Sequence, residues 1–167
     1  ADHLLGEHFD RAVVAIERGE IDEALVHWEL LAQHVDAADP RRVELVERTV
    51  RRQTGLALAG LERGVMGGAL AAMEGLVAAV QVEPADALHT CLLRLGSEAA
   101  LQYHAAGDRE ALGRVVASFR PSLAWAAQAR RELPLAQREH VAEAAVCAAA
   151  ATDLPWEAVD ALRVAVR

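Results

Sequence analysis

The sequence predicts a single all-α domain of about eight helices that pack as antiparallel hairpins. First, a short turn phrase recurs at Gly19–Ala24, Gly64–Ala69, Gly107–Leu112 and Asp153–Ala158, at intervals of 45, 43 and 46 residues. Recurrence at such a spacing is typical of stacked helical hairpins. Second, alanine is the commonest apolar residue, and no stretch shows the alternation of a strand. Third, the predicted loops are short, which makes successive helices antiparallel neighbours.

The amino-terminal half contains four predicted helices. Apolar residues recur every three or four positions in the first two, as one face of a helix requires. Gly19 and Gly64 follow the first and third helices, where a glycine commonly ends a helix. Asp39-Pro40 presets the start of the third helix. The predicted bounds are Asp2–Arg18, Asp22–Ala37, Arg41–Arg63 and, for the fourth helix, the turn after Gly64 to Val82.

The carboxy-terminal half contains four more. The fifth helix runs from Pro84 to Ala106 and the sixth from near Asp108, an N-cap residue type. Pro121 either kinks the sixth helix or splits it near Phe119. A seventh runs from Pro134 to Ala151, and Thr152 to Pro155 open the last one. The pairs divide the single domain, residues 1–167, into approximate units 2–37, 41–82, 84–131 and 134–167.

The segment Gly19–Glu29 resembles a tetratricopeptide repeat. Gly19, Ala24 and Trp28 occupy that family's turn glycine, small residue and aromatic. A small residue also stands seven positions before each turn glycine, and Tyr103 matches a family aromatic. Those small residues are Ala12, Ala57 and Ala100. The spacing of 43 to 46 residues exceeds the family's repeat of about 34 residues.

The resemblance implies a right-handed superhelical array with a groove lined by the first helix of each pair. We therefore expect a non-enzymatic scaffold or adaptor that binds a protein segment there. The residues predicted to line the groove, by their positions on the first helices, are His8, Arg11, Arg52, Gln53 and Tyr103.

Charge and cysteine content exclude several other classes. The net charge is −8, which argues against a nucleic-acid partner because phosphate binding needs a basic face. All 17 basic residues are arginine. Cys91 and Cys147 are far apart, which favours free thiols in a reducing compartment. No apolar run resembles a signal peptide or a membrane span, so we expect a cytoplasmic protein without a cofactor.

The histidines support a different hypothesis, a helical-bundle metal protein. Four of the seven lie early, and His27 and His34 are seven positions apart on one helical face. The segment Leu30–His34 resembles part of a hemerythrin-type protein, which implies metal binding by His3, His8, His27 and His34. The chain has no HExxH and no Glu-x-x-His motif, which disfavours zincin and ferritin-like sites.

Two further hypotheses stay open at this stage. The chain could be a regulatory helical-repeat domain of a transcriptional or signalling assembly. It could also form a homodimer through the alanine-rich face of residues Ala144–Ala151.

Overall fold

A computed structural model describes residues 2–64, 66–129 and 133–151. These residues form seven α-helices and no strand, which confirms the all-α class. The predicted eighth helix, at residues 152–167, lies outside the described residues. The helices are α1 Asp2–Glu17, α2 Ile21–Ala32, α3 Pro40–Glu62, α4 Met66–Val82, α5 Asp86–Ala105, α6 Arg109–Ala129 and α7 Leu135–Ala151.

The three predicted turn glycines each end a helix in the left-handed conformation. Gly19, Gly64 and Gly107 have φ of 76°, 67° and 70°, which L-residues with a side chain rarely adopt. After α1, the amides of Gly19 and Glu20 donate to Ile16 and Ala15 carbonyls at 3.0 and 2.9 Å. This bonding pattern is a Schellman motif, which satisfies carbonyls that the helix leaves free.

Two predicted helix starts are capped by aspartate. Asp39 Oδ1 accepts a hydrogen bond from the Arg41 amide at 2.9 Å, and Pro40 follows as the first helical residue. Asp108 Oδ1 accepts from the Ala111 amide at 3.0 Å. Such caps satisfy amides that have no partner within the first turn.

The predicted end of the second helix was wrong. α2 ends at Ala32 rather than Ala37, because the chain after it turns twice. The His34 amide donates to Leu31 O, and Asp36 Oδ1 accepts from the Ala38 amide at 2.9 Å. Aspartate commonly binds backbone two residues on, which competes with helix continuation. The fifth helix likewise begins two residues later than predicted, at Asp86.

α6 passes through Pro121 as one helix, so the predicted alternative of two separate helices was wrong. A proline inside a helix removes one backbone hydrogen bond and is costly unless packing offsets it. Phe119 and Ser122, on either side of the proline, are 0% and 1% exposed. Burial of this face against the core holds the helix together across Pro121.

The helices pack mainly with their near neighbours in the chain. α1 packs on α2, α3 on α4, and α5 on α6, as three antiparallel hairpins. The first helices also contact one another in order (α1 with α3, α3 with α5, α5 with α7), and so do the second helices α2, α4 and α6. Within the described residues, no helix contacts another that is more than two places away.

One ion pair ties the second hairpin to the chain that follows α2. Arg42, at the start of α3, bonds to the carboxylate of Glu83, just beyond α4, with Nε 2.7 Å from Oε1 and Nη2 bonded to Oε2. Its Nη1 donates to Val35 O at 2.7 Å. Both charged side chains are largely buried, with 11% and 5% exposed. The pair therefore joins three segments in a poorly solvated place.

Candidate functional site

The largest of the three clefts described here lies between the turn that follows α1 and the facing surfaces of α3 and α4. We call it the central cleft, and its volume is about 780 Å³. Small-molecule and peptide side-chain sites commonly have volumes of roughly 300–1,000 Å³. The central cleft is lined by Gly19, Glu20, Ile21, Asp22, Glu23, Gln53, Leu56, Gly68, Ala71, Ala72, Glu74, Gly75 and Ala78.

One wall of the central cleft is a face of α4 that carries only small side chains. Gly68, Ala71, Gly75 and Ala78 follow one another at steps of three or four residues, so they lie on one side of the helix. The absence of side-chain bulk there leaves the space open and lets a neighbouring chain approach the helix backbone closely.

Gln53 of α3 forms the buried part of the opposite wall and is 3% exposed. Its Nε2 donates to the Ala72 carbonyl at 3.0 Å, whereas Oε1 has no hydrogen-bond partner among the described residues. A methyl group at Gly75 would lie 2.4 Å from Nε2, so the glycine allows the amide to reach across. A buried acceptor without a partner is unfavourable by about 1–3 kcal/mol.

The rim of the central cleft is acidic. Glu20, Asp22 and Glu23 lie along the start of α2, and Glu74 lies on α4. Hydrogen bonding to Glu23 raises the pKa of Glu20, so these two carboxyl groups are close together. Among the described residues only Glu74 of the four forms an ion pair, with Arg114 at 3.1 Å. Within the described ranges the α2 carboxylates form no ion pair, although the charge of Arg18 acts on Glu20 and opposes the rise in its pKa.

Two smaller clefts flank the central one. The first, of about 360 Å³, lies between α1 and α2 and includes Arg11, Arg18 and His27. The second, of about 330 Å³, lies beside α3 and includes Arg48, Arg51 and Arg52. Arg48 binds Glu17 at 3.0 Å and Glu44 at 2.9 Å, so part of the basic charge of this second cleft is neutralised.

The five residues predicted to line one groove lie at different places in the structure. Arg11 lies in the α1–α2 cleft, Arg52 in the cleft beside α3, and Gln53 in the central cleft. His8 is half-buried against α2. Tyr103 is 1% exposed, because it faces the core between α5 and its neighbours, and a partner at the surface would not reach it.

Of the four histidines considered for a metal site, the structure brings only two together. His8 Nδ1 and His27 Nδ1 are 3.0 Å apart, so one donates and the other accepts a hydrogen bond. Burial, and then the charges of His8 and Arg11, lower the pKa of His27. His3 pairs with Glu7 at 3.4 Å, and His34 donates to Leu30 O at 2.8 Å. In the part of the chain that the structure describes, no three His, Cys, Asp or Glu side chains are grouped to hold a metal ion.

A further histidine, His89, bonds to a serine in the core. His89 Nδ1 is 3.0 Å from Ser122 Oγ, and the imidazole stacks on Trp125 with ring centroids 4.7 Å apart. Both His89 and Ser122 are buried, and neither lines any of the three clefts. Burial lowers the pKa of His89. Cys91 lies two residues after His89 and contacts a different helix, with Sγ 3.3 Å from Thr54 Oγ1.

The residues of the central cleft that the sequence analysis missed are the small ones of α4 and the carboxylates that begin α2. The α4 residues were signalled by a regular spacing of glycine and alanine along the helix, and the carboxylates belong to the first turn phrase, Gly19–Ala24. On the alanine-rich face considered for a homodimer, Ala144 is fully buried within the chain.

No protein-family model, no curated protein and no solved structure matches the chain. None of the helices in the described ranges has the length and apolar character needed to cross a membrane.

Proposed function

We propose that the chain is a non-enzymatic interaction module, built as a tetratricopeptide-like array of helical hairpins, that binds a segment of another protein in the central cleft. Two features support this proposal: a packing pattern that repeats from hairpin to hairpin, and an open cleft at the junction of the first two hairpins.

The packing pattern repeats at equivalent positions of three successive hairpins. The small residue before each turn, the residue five after it and the residue nine after it are all buried. In the described ranges each helix contacts only helices one or two places away. Such contacts are typical of a stacked array, in which each unit buries its apolar face on the next. The three sets are Ala12, Ala57 and Ala100; Ala24, Ala69 and Leu112; and Trp28, Met73 and Val116.

The observation that carries the function is the central cleft itself. Two consecutive hairpins contribute to it, so their stacking creates the space. The uncharged part of its lining, which we call the floor, combines the small side chains of α4 with the exposed Leu56 of α3, and its rim is charged. An apolar floor with a few polar groups around it is the usual composition of a site that holds a ligand by shape and orients it by hydrogen bonds.

Selection from a displayed library of random peptides tests this function. Peptides enriched on the immobilised chain should fail to bind an Ala71→Trp variant, because Ala71 is exposed in the cleft and an indole would fill it. Ala117→Trp is the matched control, since Ala117 is exposed on α6 and lies outside the three clefts. Enriched peptides that bind both variants equally well would refute the assignment of the cleft.

A further inference from the structure

We propose that the segment bound in the central cleft is basic, with an arginine or lysine side chain that neutralises Glu20, Asp22 and Glu23 and donates a hydrogen bond to Gln53 Oε1. This inference rests on the proposed function and specifies the partner that the same cleft accepts.

The first argument is charge complementarity. Three carboxylates stand within four residues at one edge of the cleft, and two of them, Glu20 and Glu23, also line the α1–α2 cleft with Arg18. The closeness of Glu20 and Glu23 means that like charges repel there. A cationic side chain in the cleft would relieve that repulsion, whereas an acidic segment would increase it.

The second argument is independent of the rim. Gln53 is 97% buried, and its acceptor Oε1 has no hydrogen-bond partner within the described part of the chain. The amide orientation is fixed, because only Nε2 can donate to the Ala72 carbonyl. A donor would satisfy this atom, and the guanidinium, ammonium and indole groups are the side chains that donate without accepting. Of these, the two cationic groups also match the acidic rim.

The third argument concerns shape. Ala71 and Ala78 of α4 carry only a methyl group each into the cleft, which leaves room along this helix for the backbone of a peptide. The exposed fraction of Leu56 is 41%, and its side chain offers an apolar surface for the methylene stem of a long basic side chain. The floor and the rim thus suit the two parts of an arginine or lysine side chain.

Fluorescence anisotropy with a labelled peptide of alternating arginine and alanine tests the proposal, with a glutamate–alanine peptide as the negative probe. Asp22→Asn/Glu23→Gln should weaken binding of the basic peptide about tenfold, from the loss of two charge pairs of up to about 1 kcal/mol each. The control Asp86→Asn/Glu110→Gln removes the same charge from the first turns of α5 and α6, outside the cleft. It should leave the affinity within about twofold.

Gln53→Met separates the hydrogen bond from the charge. The change keeps the volume and removes the amide, both its free acceptor and its donor to Ala72. It should weaken binding about tenfold if a donor occupies the cleft. Gln102→Met is its control, because Gln102 Nε2 also donates to a helix carbonyl, that of Leu61 at 3.0 Å, but outside the cleft. Circular dichroism melts of all variants check that each remains folded.

The outcomes are distinct. Equal losses in the cleft variant and the charge control would show general attraction to an acidic chain and overturn the inference. Library peptides that are blocked by Ala71→Trp but are neutral or acidic would also overturn it, while the proposed function would stand. A dimer in light scattering that Ala71→Trp dissociates would place a second copy of the chain in the cleft instead. If no peptide depends on the cleft, both proposals fail.

Discussion

Replacement of Gly96 by alanine should destabilise the protein, although alanine is the better helix former. Gly96 lies buried in α5 where α6 crosses it. A methyl group there would lie 2.3 Å from Cδ1, 2.9 Å from Cγ and 3.1 Å from Cβ of Phe119. Phe119 is 0% exposed, so its ring has no free space to move into. Overpacking of this kind costs about 1–3 kcal/mol, and the short distances favour the upper end. The better helix propensity of alanine offsets about 1 kcal/mol of this cost, so the free energy of unfolding should fall by about 2 kcal/mol.

Urea denaturation followed by circular dichroism measures this difference. Gly113→Ala on α6 is the matched control, because Gly113 is exposed and a methyl group there has no neighbour within 4 Å. It should gain about 1 kcal/mol from propensity alone. The loss at position 96 should shrink in a Phe119→Leu background, where the ring is absent. A Gly96→Ala protein as stable as the parent would refute the close approach of α5 and α6.

The remaining predictions concern a charge, a titration and a turn. Glu83→Gln should lose about 3–5 kcal/mol in the same assay because it leaves Arg42 buried without its partner; an Arg42→Met/Glu83→Leu double variant that is less stable than Glu83→Gln would contradict this. Burial lowers the pKa of His27 and of His89, so the unfolded chain takes up protons first as the pH falls. Their contribution to stability is present above a pH of about 6.5 and is lost as the pH falls towards the lowered pKa values. The urea midpoint should therefore fall between neutral and mildly acidic pH, and His27→Gln should reduce that fall; an unchanged slope would exclude His27 as a source. Gly107→Ala should lose about 1–2 kcal/mol from its positive φ, although nothing obstructs the methyl group; no loss in thermal melts would show that this turn can adopt another conformation.

Local features of the fold were predictable from the sequence, because they depend on residues that are adjacent in the chain. Gly19, Gly64 and Gly107 end helices with positive φ, as their position after an apolar periodic segment predicts. Asp108 caps α6 for the same local reason. The end of α2 was missed, because the apolar pattern continues to Val35 while the Asp36 side chain bonds to the backbone and turns the chain.

The candidate site was less predictable, since it joins segments far apart in the sequence. Gly19, Gln53 and Gly75 meet across the central cleft, and no local pattern indicates that they do. Gln53 and Tyr103 were placed on a groove because they lie on first helices. Which face of those helices is covered depends on where the next hairpin packs, and the sequence does not state this.

Contacts between near-neighbour helices affect both the folding of the chain and its evolution. Since helices in the described ranges touch only those one or two places away, the loops that must close during folding stay short however long the chain is. Loop-closure entropy and folding time both rise with the separation of contacting residues, so folding should be fast and should spread from any hairpin that forms first. The same geometry lets a hairpin be gained or lost by duplication or deletion while only its immediate neighbours need new packing surfaces.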